Sequence, residues 1–409
     1  MQLTGHPIID IGLAVACNIS HKKSVTELSE KDLQTASQWF LSEIEQLEKR
    51  HIFSSYWQNN PFMGKNITSK TKYKRELALM VNSTVDSTSH ACQTCGKSKS
   101  FIPLSRTWFP LGGSASTDPC TYPNLEGKHL CLSCCRANVL ATMGCRFASG
   151  KPFLIHVNDP ELIIASANSA FNAIKMALTA GGENNISDNA VSKGHLGLFE
   201  ILTNSPLWNP LLTGGFNRIP KDGATVIQFS NSGTAAYFYQ LILPARILEF
   251  FTNINASGIS KEFVDIIRWS SKNDNPSILH TIETGKSIAP LLFYKLDKSK
   301  QPTLSEKEIT LMKVYESVAI NKQERFEVIQ GFAKRVCDMD KPHFDSFTKQ
   351  LANIKKRETL LDLLTKFSKS SSINLTISND VLKMFYIEPT TEIAKMLYLL
   401  CIAESNKKN

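Results

Sequence analysis

The chain has 409 residues, 42% of them hydrophobic, and a formal net charge of +9. That length allows two to three domains, and that apolar fraction, ordinary for a globular protein, supplies a sizeable core. With no run of about 20 apolar residues, a membrane-spanning helix is excluded, while the mild excess of cations is compatible with a polyanionic partner without requiring one.

The N-terminus, Leu3-Thr-Gly-His-Pro-Ile-Ile-Asp-Ile-Gly-Leu-Ala, sets a polar turn of Thr4, Gly5 and Pro7 before an apolar element. That element, Ile8, Ile9, Ile11, Leu13 and Val15, is interrupted by Asp10. Either Asp10 caps a buried helix or the turn presents backbone to a ligand. The segment Ile8 to Cys17 reads superficially like a short apolar segment ending in a lipobox, but it lacks a basic start, contains Asp10 and is too short for the apolar core of a signal. Ten cysteines without such a signal point to a reducing compartment and to metal-bound or free thiols, so a cytoplasmic location is expected.

Ser24 and Glu27 form a capping-box pattern, and Leu33, Ala36, Phe40, Ile44 and Leu47 repeat at helical spacing, which predicts an amphipathic helix from Ser29 to Arg50. Next comes Tyr56-Trp-Gln-Asn-Asn-Pro-Phe-Met-Gly-Lys65, followed by Lys70, Lys72, Lys74 and Arg75. Cations neutralise phosphates, aromatics stack on or wedge between bases, and amides read base edges, so this interleaving suits a nucleic-acid surface. The same run also suits a merely solvated face.

Cys92-Gln-Thr-Cys95 and Cys131-Leu-Ser-Cys134 are the two halves of a tetrahedral four-thiolate zinc site. Gly96, just after the first pair, suits a knuckle turn that needs positive φ. The 35 residues between the pairs are rich in Pro and Gly, and they predict an insertion or long hairpin, about residues 88–148, clamped by the metal. Cys120, His129, Cys135 and Cys145 are nearby substitutes as ligands.

Beyond the cysteines, residues 152–157 read as a strand and Leu162 to Ala180 as a helix ended by Gly181-Gly182. Ala224 to Ser230 reads as a strand, and Tyr237 to Asn253 as a helix broken at Pro244. Residues 263–269 and 278–294 continue a mixed α/β pattern. After a polar linker at 297–303, Ser305 and Glu308 form a capping box that opens a helical tail. Its stripes are Phe326, Ile329, Phe332, Val336; Phe344, Phe347, Leu351, Ile354; and Leu360, Leu361, Leu364, Phe367. They predict a bundle of four to six helices. From Thr303 on, 17 Lys and Arg stand against 14 Asp and Glu, a net of +3, and Lys355-Lys-Arg357 is the one local cluster. The expected fold class is therefore α+β. A mixed α/β domain over 1–296 carries the zinc-bound four-cysteine insertion, and a helical bundle over 297–409 follows.

No His-x-Glu or Cys-x-Glu of a zinc deaminase, no phosphate loop, no His-Glu-x2-His, no His-Asp and no Gly-x-Ser-x-Gly occurs. Four thiolates leave no open metal position, so the zinc is expected to be structural and no catalytic residue is assigned. An enzymatic reading would rest on His156, Asp159 and Glu161, which serve equally as a strand end and a helix cap.

The start Thr-Gly-x-Pro-φ-φ-Asp-x-Gly (φ apolar), here Thr4 to Gly12, followed by two widely spaced Cys-x2-Cys pairs, resembles the CXXC–CXXC family of CRISPR-associated proteins. These are large subunits of type I-B Cascade complexes. Ile227-Gln-Phe-Ser-Asn231, then Tyr239 to Pro244 and Phe250, is also similar to that family. The resemblance runs to about Phe293, and the helical tail fits the family's C-terminal region. Position 6 is His where Asn is common.

The resemblance implies a subunit of a CRISPR RNA-guided surveillance complex that reads the target-adjacent motif in double-stranded DNA, helps open the duplex and holds the displaced strand. Thr4, Gly5, His6, Asn59, Asn60, Lys65, Lys70, Lys72, Lys74 and Arg75 are the nucleic-acid-binding candidates. The implied partners are CRISPR RNA, target DNA, backbone and RNA-end-binding subunits, small subunits, and a helicase-nuclease or transposition machinery. The C-terminal bundle is also made separately in related systems, as the small subunit. The alternative is a stand-alone zinc-stabilised nucleic-acid-binding regulator.

Overall fold

The computed structural model describes residues 1–49, 56, 67–104, 108–109, 128–148, 151–179, 192, 194–203, 205, 219–230, 237–272, 278–299, 304–369 and 377–408. The chain forms two compact units, one of residues 1–190 and 210–245, the other of residues 191–209 and 246–409.

The first unit is organised around helix α1, Pro7–Ile19. Proline at the first helical position costs no hydrogen bond, and from Ile8 to Cys17 every residue is buried. Each large aliphatic side chain so buried contributes roughly 1.5–3 kcal/mol. Helices α2 (Glu30–Lys49), α4 (Leu132–Leu140) and α5 (Pro160–Thr179) pack around α1. Gly12 permits the α1–α4 approach, because a Cβ there would lie 1.7 Å from the carbonyl oxygen of Ala137. The cap of α2 is Ser29 with Asp32, whose carboxylate accepts from the Ser29 N–H at 2.9 Å and from its hydroxyl at 2.7 Å. Ser24 instead caps a short 3-10 turn, Val25–Glu27.

Helix α3 is Ile67–Asn82. Strands β1 (Ile102–Leu104) and β2 (Lys128–Leu130) pair antiparallel. A four-stranded antiparallel sheet follows in the order β3-β4-β5-β6, from Arg146–Ala148, Lys151–His156, Ala224–Ser230 and Tyr237–Leu243. Strand β6 corrects one expectation, since residues 237–243 had been assigned to a helix. Tyr-Phe-Tyr-Gln-Leu-Ile-Leu is aromatic or aliphatic at every position but Gln240, a composition that fits a pleated surface beside β5, and Pro244 ends it. The helix begins only after that proline.

The second unit is helical among the described residues. It contains α6 (Gly194–Thr203), α7 (Ala245–Ala256), α8 (Ser260–Lys272), α9 (Ile278–Glu283) and α10 (Ala289–Ser299). Then come α11 (Glu306–Val314), a π-helical turn (Tyr315–Ala319), α12 (Gln323–Val336), α13 (Lys341–Leu351), α14 (Arg357–Ser368), α15 (Asn379–Ile387) and α16 (Thr390–Lys408). Residues 263–269 are thus helical, and 278–294 hold α9 and the first half of α10 on either side of a turn, with no strand. The expected 296/297 boundary falls inside this unit, because the helices before it share an apolar core with the tail. Phe250 meets Tyr315 edge-on at 5.3 Å between ring centres, and Phe293 meets Tyr398 at 5.1 Å.

Ser305 and Glu308 form the complete capping box on α11. The three apolar stripes are buried, Leu361 alone being half-buried. A buried ion cluster also ties the segments together. The Arg325 guanidinium pairs with Glu316 in the π turn, with Glu388 at 2.7 Å and with Glu392 at 3.1 Å, while Lys322 reaches Glu388 at 2.6 Å.

Candidate metal centre and N-terminal turn

The first cysteine pair sits in a knuckle closed by backbone bonds. The Gly96 N–H donates to the Cys92 carbonyl at 3.0 Å, the Cys92 N–H to the Lys97 carbonyl at 2.7 Å, and Gly96 takes φ 75°. The second pair opens α4, with Cys131 as the N-cap residue and Cys134 in the first turn. The strand pair β1–β2 and two bonds between Gln93 and His129 bring the halves together. The Gln93 N–H donates to the His129 carbonyl at 2.9 Å, and the His129 N–H donates to Gln93 Oε1 at 3.0 Å.

The Sγ atoms of Cys92, Cys95, Cys131 and Cys134 lie within 4.8 Å of one another, and Cys95 Sγ is 3.6 Å from Cys131 Sγ. A tetrahedral ion with metal–sulfur bonds of about 2.3 Å sets its sulfurs about 3.8 Å apart, so the donor set fits a structural metal ion. Three of the thiols are buried and Cys95 is exposed. The thiols pull one another in opposite directions. Hydrogen bonds from Cys131 and Cys134 hold Cys92 well below the ordinary thiol range, while those bonds leave Cys134 well above it. A metal ion is held by deprotonated sulfurs, so filling this site would release the protons that the thiols carry.

Charge around the knuckle is arranged to match. Lys97 bridges Asp86 at 3.0 Å and Glu30 at 3.5 Å. Asp86 also accepts from the Leu132 N–H at 2.8 Å, which satisfies a donor in the first turn of α4. Of the substitute ligands, His129 stacks beside His90 and lies near Ser100. Cys135 donates to the Leu130 carbonyl and Cys145 is buried, so neither joins the four. Cys120 lies outside the described residues.

Asp10 organises the N-terminal turn. Its Oδ1 accepts from the Thr4 N–H at 2.6 Å and the Thr4 hydroxyl at 2.8 Å. Its Oδ2 accepts from the Gly5 N–H at 3.0 Å and lies 3.1 Å from His156 Nε2. Burial by itself would raise this carboxyl, but the bonds from His156 and Thr4 outweigh burial and hold it below the usual carboxylate range. The turn is therefore locked from inside by a carboxylate whose partner histidine lies far along the chain, on β4.

His6 does not stand free. Its ring meets Phe109 edge-on at 5.4 Å, and its Nε2 is 3.2 Å from Lys128 Nζ. Lys128 also lies 4.6 Å from the Phe109 ring centre. Burial, then the charge of Lys128, push the His6 imidazole down to about 4, so it is neutral at neutral pH. Lys128 and Phe109 were not foreseen as neighbours of the turn; the only sequence cue is that Lys128 precedes Cys131 by three residues.

The basic stretch falls on α3. Lys72 and Arg75 are exposed, Lys72 is 3.9 Å from Glu76, and Glu76 accepts from Trp108 Nε1 at 2.7 Å. Lys74 is half-buried. Helical spacing sets positions 70 and 74 on one side of α3 and positions 72 and 75 on another, so the run divides between two faces. The side chain of Lys70, and Asn59, Asn60 and Lys65 entirely, lie outside the described residues. Of the residues of the enzymatic reading, His156 bonds to Asp10, and Asp159 Oδ1 accepts from the Glu161 N–H at 3.0 Å and the Leu162 N–H at 3.3 Å as the cap of α5.

No helix among the described residues is long and apolar enough to cross a membrane. No family model, no curated protein and no solved structure matches this chain.

Proposed function

We propose that this chain is the large subunit of a CRISPR RNA-guided DNA surveillance complex of the type I-B kind, stabilised by one structural zinc ion. The observation that carries the reading is that the two signatures of the family resemblance meet in space. The Thr4–Gly12 motif and the cysteine knuckle join where His6 contacts Lys128, on the strand that leads into Cys131. A preorganised turn beside a cation is the arrangement needed to contact a duplex groove, because its ordering entropy is already lost before DNA arrives. In this reading Thr4, Gly5 and His6 read the target-adjacent motif. The 59–75 stretch, with Asn59, Asn60, Lys65, Lys70, Lys72, Lys74 and Arg75, contacts the backbone of the opened duplex. His6, neutral and packed on Phe109, contributes a ring edge and Lys128 contributes the charge.

A set of four thiolate donors favours zinc, and such a site has no open position for substrate. The partners are CRISPR RNA, the other Cascade subunits and the machinery recruited downstream. A separately made C-terminal product would begin upstream of Met312 at a non-Met codon, since Met312 is buried inside α11.

The test is a pull-down of the tagged chain expressed with its neighbouring genes. A discrete small RNA with repeat-derived ends and a multi-copy backbone protein support the reading, and charge reversal at Lys70, Lys72 and Lys74 then weakens target DNA binding. A zinc protein recovered without RNA overturns the guided reading and leaves the stand-alone regulator.

A further inference from the structure

We infer that strand β6 is the docking surface for a second copy of this chain, the two strands pairing antiparallel about a two-fold axis at Gln240. The four-stranded sheet has two unlike outer strands, β3 and β6. Strand β3 is three residues long and begins with Arg146, and so short and charged an edge offers little to a partner. Strand β6 is seven residues long and pairs with β5 in unbroken register, from Ala224 opposite Leu243 to Ser230 opposite Tyr237. Among the described residues no strand pairs with its other side. It holds no charge, no proline and no bulge, the devices by which an edge avoids recruiting another strand.

One face of β6 is also apolar and open. Phe238 is 50% exposed and Ile242 66%, with the exposed Gln240 between them. Alternation along the strand places all three on the same side. Ile227, half-buried on β5 opposite Gln240, continues the patch. A contiguous apolar patch on a flat outer strand marks a site of association.

The order of residues along the strand selects the occupant. Tyr237, Phe238 and Tyr239 are aromatic, residues 241–243 are aliphatic, and Gln240 stands between the two triplets. Antiparallel pairing of two copies centred on Gln240 sets every aromatic side chain opposite an aliphatic one, with Phe238 facing Ile242 of the second copy. Such cross-strand pairs are among those that stabilise sheets. The two Gln240 amides meet on the axis, where each has both a donor and an acceptor for the other. Centring the pair on Tyr239 or Leu241 instead sets Gln240 against Phe238 or Ile242 and leaves residues at one end of the strand without a partner. Pro244, which has no N–H for a ladder, falls just beyond the paired residues. The strand thus reads as its own complement, so the partner is a second copy.

The contact also closes on itself. One continuous sheet runs through both copies and ends on a three-residue β3 at each side, so association stops at two copies rather than growing into a fibre. This pairing requires neither RNA nor another subunit and goes beyond the reading proposed above.

The test uses the full chain, purified alone, in sedimentation velocity over a wide range of protein concentration, where a reversible dimer is expected. Gln240 is exposed, so charged substitutions there leave the core intact. Gln240→Lys sets two like charges directly opposite each other on the axis and the dimer is lost; Gln240→Glu has the same effect. Mixing the two variants restores a dimer with one copy of each, read by native mass spectrometry, a recovery that misfolding of either variant cannot produce. A parent chain that stays monomeric at every concentration overturns the second copy and leaves the strand to a different protein. A dimer that persists in both variants, or a mixture that stays monomeric, overturns the pairing at Gln240. Failure of the RNA pull-down, by contrast, removes the guided complex and leaves this measurement untouched.

Discussion

Asp10→Asn isolates the N-terminal turn. Each oxygen of the Asp10 carboxylate faces two donor partners: Thr4 N–H and hydroxyl on Oδ1, Gly5 N–H and His156 on Oδ2. Asparagine keeps the volume and one acceptor oxygen but turns an NH2 toward the other two donors. Two charge-assisted bonds are lost, each worth about 1.5–3 kcal/mol, so holding the native turn costs about 3–6 kcal/mol. Opening the turn to water is the cheaper response, and residues 4–6 detach while α1, anchored by its apolar length, stays in place. Hydrogen exchange read by mass spectrometry is the assay. The Thr4 and Gly5 amides lose protection, the α1 amides keep theirs, and the zinc content is unchanged. If the turn reads the target-adjacent motif, guided duplex binding falls in the same variant. Equal protection at Thr4 and Gly5 in both proteins would refute the claim that the carboxylate holds the turn.

Three further outcomes are expected. Chelation of the metal, or Cys131→Ser, destabilises the knuckle strongly, since structural zinc sites supply about 10–16 kcal/mol of apparent binding free energy; native mass spectrometry reports the ion, and thermal unfolding unaffected by chelator would contradict a structural role. The His6 imidazole is lowered from 6.5 to about 4, so the unfolded chain binds the proton more readily and stability falls as pH drops through that window. Between pH 7 and 5 this amounts to about 2 kcal/mol; denaturant titrations of His6→Asn against the parent at both pH values check it, and an identical pH dependence in the two proteins refutes it. Arg325→Ala leaves Glu316 and Glu392 buried without their cation and costs about 3–5 kcal/mol. Adding Glu316→Gln restores part of that loss in thermal unfolding, because burial already pushes the Glu316 carboxyl up toward its neutral form; absence of any rescue would show that the loss is one of packing alone.

The sequence by itself determined those features whose physics is local. Cys-x2-Cys makes a knuckle because a tight turn aims two sulfurs the same way, and all four predicted thiols converge. Ser305 and Glu308 cap a helix because the bonds span only three residues, and the stripes from Phe326 to Phe367 bury because helical spacing aligns them. Strand β6 was misread because a seven-residue run with six apolar or aromatic side chains fits either a buried helix or a strand, and only pairing with β5 decides between them. Only the tertiary structure decided which groups meet across long separations: His156 on Asp10, Lys128 on His6, and Arg325 on carboxylates from the π turn and from the start of α16. Such contacts are properties of packing, since the donor and the acceptor follow no common period and become neighbours only when the core between them closes.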